Sequence, residues 1–273
     1  MGICARFLLG ARKDNDMKKL IYIIAILALM SGCFIVGFLY AAPVDVPIEI
    51  QGLEGNIFND KELGLGLSIA AEADFLGERK LGIEGSEEIA KVKGQFYTTK
   101  IILTVINKFD IYGIFGKAEN LEYKDSGIKL KPKDKLTWGA GVSVSIYEWK
   151  NCGIKFFADG KYRAVNNIDY ASNYQSPSYG GYFTPPPEPK FLVNWQEWQV
   201  AFGAAKKFKY FMPYLGIKYS DFRESSINSV NYSDAIVGIF IGCTVTPIKA
   251  LSIDLQGRFI DETAFTVKAT YKF

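Results

Sequence analysis

The chain has 273 residues, a net charge of +3, 15% aromatic residues, 26 glycines and no histidine. So small a positive charge argues against nucleic acid as a partner, and the missing histidine removes the side chain best poised to exchange protons near neutral pH. The aromatic and glycine content suits an all-β chain more than a helical one.

The front of the chain reads as an export signal. Lys18 and Lys19 precede an apolar run that extends to Tyr40 and ends on the small pair Ala41 and Ala42. A basic start, an apolar stretch and small residues make the pattern of a secretory signal peptide. We expect a signal peptide over 1–42, with a start at Met17, then a short N-terminal periplasmic segment over 43–62. The run is long enough for an uncleaved membrane anchor to be the competing expectation. "MSGC" at 30–33 resembles a lipoprotein signal in which Cys33 carries the lipid, with Met30 where a leucine is usual. Beyond this region only Cys152 and Cys243 remain. They fall on strands that are not neighbours, so free thiols are expected, with Cys243 buried.

From residue 63 onward the chain alternates. Candidate strands lie at 63–76, 92–106, 109–118, 135–148, 153–164, 195–206, 212–222, 234–246, 251–260 and 264–273. Short links and longer loops alternate between them, apart from a tight hairpin at 261–263. That rhythm is an up-and-down antiparallel meander. Each strand has two rows. Ile69, Ala71, Ala73 and Phe75 oppose Ser68, Ala70, Glu72 and Asp74; Leu251, Ile253 and Leu255 oppose Ser252, Asp254 and Gln256.

Alternation fits a soluble barrel or sandwich with the apolar row inside, and a transmembrane barrel with it outside. Four features favour the membrane. The polar rows are rich in Gly, Ser and Thr with sparse, mixed charges. Aromatics gather near strand ends: Phe109, Trp149, Tyr210, Phe211 and Phe273 by the short turns, and Trp138, Tyr162, Trp195, Trp198 and Phe265 by the long loops, as two interfacial girdles would require. The strands are long enough to cross hydrocarbon when tilted. An exported chain with no apolar run of helix-spanning length in its middle can span only as a closed barrel.

The last residues, "AFTVKATYKF", place Phe265, Val267, Tyr271 and Phe273 on one face. This ending resembles the terminal strand of bacterial outer-membrane β-barrel proteins of the small eight-to-ten-strand type. The resemblance implies that the final aromatic row is the signal engaged by the barrel-assembly machinery. It also implies a ten-stranded up-and-down barrel over 63–273 in the bacterial outer membrane, with both mature ends in the periplasm. Enzymes of this general kind (omptin-type proteases, lipid A acyltransferases and deacylases, the phospholipase) rely, as the resemblance implies, on a histidine that this chain lacks. No catalytic residue, cofactor or metal ligand is assigned.

The inward-facing charges are Glu72, Asp74, Lys100, Lys155, Asp159, Lys161, Arg163, Glu197, Lys218, Asp254, Arg258 and Lys268. Acids and bases are nearly balanced. Two uses are open to them: a salt-bridge network that fills the barrel, since buried charges must be paired, or the lining of a narrow aqueous path that selects solutes. A barrel of about eight strands has room only for side chains, and ten leave little more. The network is therefore the expectation, in a non-enzymatic barrel with an envelope-structural or surface-binding role. The alternative is a narrow porin-like channel for ions or small solutes. Expected partners are outer-membrane lipid, the assembly machinery, and an extracellular ligand held by the long loop at 165–194, which is rich in Tyr, Asn, Ser and Pro. The basic stretch at 129–135 is read as a solvated loop end.

Overall fold

The computed structural model describes residues 42–51, 53, 65–83, 89–106, 108–125, 128–130, 134–170, 191–225, 230–234 and 236–273. One helical turn, α1 (Ile48–Gln51), precedes twelve strands: β1 (Gly66–Ile83), β2 (Ile89–Val105), β3 (Phe109–Asp125), β4 (Ile128–Leu130), β5 (Lys135–Trp149), β6 (Ile154–Tyr170), β7 (Phe191–Lys206), β8 (Phe211–Ser225), β9 (Val230–Ser233), β10 (Val237–Ile248), β11 (Leu251–Phe259) and β12 (Glu262–Lys272). Ten of them close into an antiparallel barrel. β12 pairs with β1, and β10 pairs with β8, past the short β9. β4 extends β3 as a hairpin, and β9 bridges the far ends of β8 and β1.

The alternation in sequence is the alternation of the wall. Ile101, Leu103, Ile111, Phe115, Val142, Phe202, Leu215, Ile217 and Ile241 are exposed on the outside, while Ser68, Thr98, Thr104, Ser143, Gln256 and Thr270 are buried inside. An exterior of this kind is stable in hydrocarbon rather than water, and a closed barrel leaves no unpaired edge there. The even strand number, the antiparallel meander and the outward apolar band are those of a bacterial outer-membrane barrel. The chain is a transmembrane β-barrel of the outer membrane.

Several strands are longer than the periodicity predicts, chiefly at the long-loop end, whereas β10 begins later there, at Val237 instead of 234. β1 runs to Ile83 instead of 76, β3 to Asp125 instead of 118, β6 to Tyr170 instead of 164, and β7 begins at Phe191 instead of 195. Bulges explain why. The register shifts between Leu76 and Arg79, opposite Lys93/Gln95 on β3, and between Val165 and Ile168. Asn120 and Asn167 sit there with φ of 49° and 56°, a region that Asn tolerates better than most residues. Each extra residue reverses which side chains face in. A pattern of period two is therefore lost just where the strand continues.

Past the bulges the interior changes character. Leu81, Ala90, Val92, Phe96, Ala118, Leu121, Val165, Ile168, Val193, Trp195 and Phe222 form an apolar cluster inside the long-loop end. Trp195, expected in an outer girdle, is instead 2% exposed within this cap and donates its indole N–H to Glu224 at 3.3 Å. Phe109, Trp138, Trp149, Trp198 and Tyr210 do lie exposed on the outside. Cys152 is free and exposed in a turn; Cys243 is free but half-buried on the outer face of β10 rather than buried in the interior.

Candidate functional site

The barrel's interior is the site, and its centre is a segment expected elsewhere. The sequence suggests that 43–62 is a periplasmic extension, but its described part lies inside the barrel. Ala42, Val44, Asp45, Val46, Ile48, Ile50, Gln51 and Leu53 are each at most 4% exposed. The remainder of that stretch, apart from Leu53, lies outside the described residues. Apolar side chains and few backbone donors make the insertion tolerable. Val44, Val46 and Ile50 pack on Phe157, Ala201, Met212, Tyr214 and Phe240. Ile48 and Leu53 pack on Ala70, Ile102, Tyr112 and Ile114. Pro43 and Pro47 carry no N–H to satisfy.

The Ile50 and Gln51 N–H groups donate to the Pro47 carbonyl within the segment, and other polar groups of the segment bond to wall side chains, since buried amides need partners. The Val44 N–H donates to Gln256 Oε1 at 2.7 Å, and Gln256 Nε2 returns a bond to the Val44 carbonyl at 3.0 Å. The Ile48 N–H donates to Asp110 Oδ2 at 2.6 Å. Ser252 donates to Gln51 Oε1 at 2.7 Å. Lys272 Nζ donates to the Leu53 carbonyl at 3.3 Å, at the short-turn end.

Asp45 is the hub. Its Oδ2 lies 2.7 Å from Lys100 Nζ and 2.9 Å from Lys161 Nζ, and its Oδ1 lies 2.9 Å from Lys268 Nζ. Burial by itself would raise this carboxyl's pKa. The three ammoniums outweigh it and hold Asp45 well below the usual carboxylate range. The lysines have wall partners as well. Lys100 reaches Glu72 at 2.7 Å, Lys161 reaches Asp159 at 3.6 Å, and Lys268 lies opposite Asp254 on the neighbouring strand, 3.9 Å away. Tyr112 donates to Asp159 and Tyr214 to Asp254. Both rings lie across the lumen over glycines, Gly141 and Gly242, where any side chain would collide with the phenol.

A second layer lies toward the long loops. Asp74 joins Arg258 at 2.6 Å and Arg163 at 3.1 Å. Glu197 joins Arg163 at 3.0 Å and Arg79 at 2.9 Å. Lys218 meets Asp261 at 2.7 Å and also Glu262. The hairpin tip between β11 and β12 is thus drawn inward: Asp261, Glu262 and Thr263 are 2–3% exposed. The apolar cap closes over this layer, with Phe96 stacked 3.9 Å from Arg163 and Phe222 5.1 Å from Arg79. Between them lies a cavity of about 20 Å³, lined by Arg79, Phe96, Arg163, Trp195, Glu197 and Phe222, room for about one water.

Eleven of the charges named from the sequence are therefore buried and paired in these two layers: Glu72, Asp74, Lys100, Asp159, Lys161, Arg163, Glu197, Lys218, Asp254, Arg258 and Lys268. Lys155 is half-buried at the short-turn end, 3.0 Å from Glu49 of α1. Sequence reasoning missed Asp45 and Glu49, which lie outside any strand, and Arg79, which the bulge turns inward. Gly77 inside a strand pattern is the signal that could have marked that bulge. It also missed Asp110, Asp261 and Glu262.

Phe265, Val267, Tyr271 and Phe273 line the outer face at the end of the chain. The Phe273 N–H donates to the Leu67 carbonyl at 3.0 Å, and the rings of Tyr271 and Phe273 meet edge to face at 5.2 Å. Residues 171–190 of the long loop and 131–133 of the basic loop lie outside the described residues.

No protein-family model matches the chain, and no curated protein matches it in sequence. Among solved structures, the translocator domain of the autotransporter NalP from Neisseria meningitidis is 12% identical, over 76% of this chain and 88% of that one, with a TM-score of 0.41. The outer membrane protease OmpT from Escherichia coli is 8% identical, over 77% and 96%, with a TM-score of 0.36. Ail, the attachment invasion locus protein of Yersinia pestis, is 12% identical, over 77% and 97%, with a TM-score of 0.29. All three are barrels of the outer membrane or its translocators, and at these scores none lends its activity to this chain.

Proposed function

We propose that the protein is a non-enzymatic outer-membrane barrel, plugged by its own N-terminal segment, that acts through its loop-bearing end in an envelope-structural or surface-binding role. One observation carries this: Asp45, on a segment inside the lumen, is held by lysines from three different strands. A water-filled pore would leave such groups solvated, yet Lys100 and Arg258 are 0% exposed. The chain has no histidine, and its buried acids and bases are engaged with one another, so no catalytic role is assigned. Outer-membrane lipid covers the wall. The assembly machinery engages Phe265, Val267, Tyr271 and Phe273. An extracellular ligand would be met by the loop at 165–194.

Purified protein in a planar lipid bilayer tests the reading. We expect no steady conductance from the intact barrel. Stable open channels in the wild-type protein would overturn it in favour of the porin-like channel. Removal of residues 42–53 separates the two further, because a plugged barrel should conduct only after the deletion.

A further inference from the structure

The N-terminal segment enters the barrel with a definite direction. Ala42 lies at the height of the second charged layer, where its N–H donates to Glu197 Oε1 at 3.3 Å. From there the chain descends past Asp45 to Leu53 and Lys272 at the short-turn end. The first described residue is thus deep within the barrel, 1% exposed, below the apolar cap. In the sequence, only Ala41 separates it from the apolar run that ends at Tyr40.

That proximity cannot coexist with a retained export anchor. Two peptide units reach about 8 Å at most. An apolar segment held in the inner membrane could not place Ala42 inside a barrel in a different bilayer. Buried charge is tolerated only when compensated. Glu197 already takes two guanidiniums and still accepts the Ala42 nitrogen.

We infer that the mature protein begins at Ala42, and that the α-ammonium made by cleavage is a working member of the lumen network, seated on Glu197. Hydrolysis breaks the Ala41–Ala42 peptide bond. Water's hydroxyl goes to the Ala41 carbonyl carbon and its proton to the Ala42 nitrogen, which takes one further proton from solvent to become the ammonium. An endopeptidase of the export route makes the cut before the barrel closes around the segment. The boundary falls one residue earlier than the end of the signal peptide expected from the sequence, because the Ala42 nitrogen is itself a ligand of the wall.

Intact-mass measurement and N-terminal sequencing of protein purified from outer membranes test the cut. The expected chain starts at Ala42. A chain starting at Met1 or Met17, or a lipidated chain starting at Cys33, would overturn it. Amine-selective labelling of the folded barrel in detergent tests the seating. The Ala42 amine should react roughly tenfold or more slowly than in urea-unfolded protein, because it is reached only by opening. Equal rates in the two states would overturn the seating even if the cut is confirmed. Glu197→Gln should keep the start at Ala42 while speeding the labelling of the folded form; unchanged protection would show that Glu197 is not the seat. Should that variant fail to fold, the wild-type rates still decide.

Discussion

The lower and upper halves of this barrel are built from the same strands and obey opposite rules. Around Asp45 the interior is charged and the exterior apolar. Above the bulges the interior is apolar, around Trp195, and the outside carries Lys80, Lys91, Asn120, Asn166, Asn167, Gln196 and Arg223. The change of solvent accounts for both. Lipid around the wall favours apolar side chains outside and leaves the polar row to satisfy itself within. Water around the projecting strands restores the ordinary order of a soluble protein. The bulges in β1, β3 and β6 lie at the boundary, and β9 narrows the ring there by spanning from β8 to β1 above the short hairpin of β11 and β12. The lesson is that strand length alone does not mark the membrane. The row that carries the apolar residues does.

The largest expected effect breaks the lower half. Asp45→Ala leaves three lysines facing one another in a sealed space. Removing one partner of a buried pair costs about 3–5 kcal/mol, so the folded, heat-modifiable band should be lost at a much lower temperature, and a leak conductance should appear. Because the Asp45 carboxyl is held below its ordinary range, its contribution is fully present above about pH 4 and is lost only as pH falls through the lower folded value. The stability gap between the wild type and Asp45→Ala should therefore be the same at pH 5 and pH 7. A gap that closes at pH 5 would show that the hub carboxylate is not held by the lysines.

Trp195→Ala addresses the upper half. Truncating a buried aromatic costs about 3–5 kcal/mol where it acts, but the cap lies outside the lipid-supported part. Hydrogen exchange should speed in residues 191–195 and 222–225 while the amides around Lys268 keep their protection. Uniform loosening of the whole barrel would mean that cap and lumen are one cooperative unit.

Asn167→Ala probes the boundary. A side chain forced to φ of 56° is disfavoured by about 1 kcal/mol relative to Asn or Gly, so Ala should lower the melting temperature of the cap slightly and Gly should not. Equal effects of the two would place the cost in the lost Asn167 side chain rather than in the backbone conformation, because the bond from the Asn167 backbone N–H to Asn194 Oδ1 at 2.9 Å survives both substitutions. The smallest effect is expected from Lys117→Gln on the outer surface. Lys117 pairs with Glu119 and Asp134 at 2.8 Å each, but exposed pairs contribute little. Its melting temperature should match the wild type. A loss comparable to Asp45→Ala would mean that the outer pairs, and not the hub, hold the barrel.

Alternation in the sequence was enough to place ten strands, to sort their rows and to name most of the lumen charges, because a side chain's face in a strand depends only on parity within an unbroken run. Arg79, Leu121 and Ile168 escaped because a single extra residue reverses parity without changing composition. Trp195 escaped for a related reason: nothing local to it says whether water or lipid lies outside its strand at that height. Asp45 was the furthest from view. Val44, Val46, Ile48 and Ile50 do alternate with Asp45, Pro47, Glu49 and Gln51, but Pro43 and Pro47 cannot donate to a central ladder, and the burial of this stretch follows from the closure of strands that lie far along the chain. Its own residues supply the apolar side chains, the prolines and the carboxylates of Asp45 and Glu49. Only the assembled wall, bringing Lys100, Lys161 and Lys268 to one point, makes the barrel's interior the place where that segment costs least free energy.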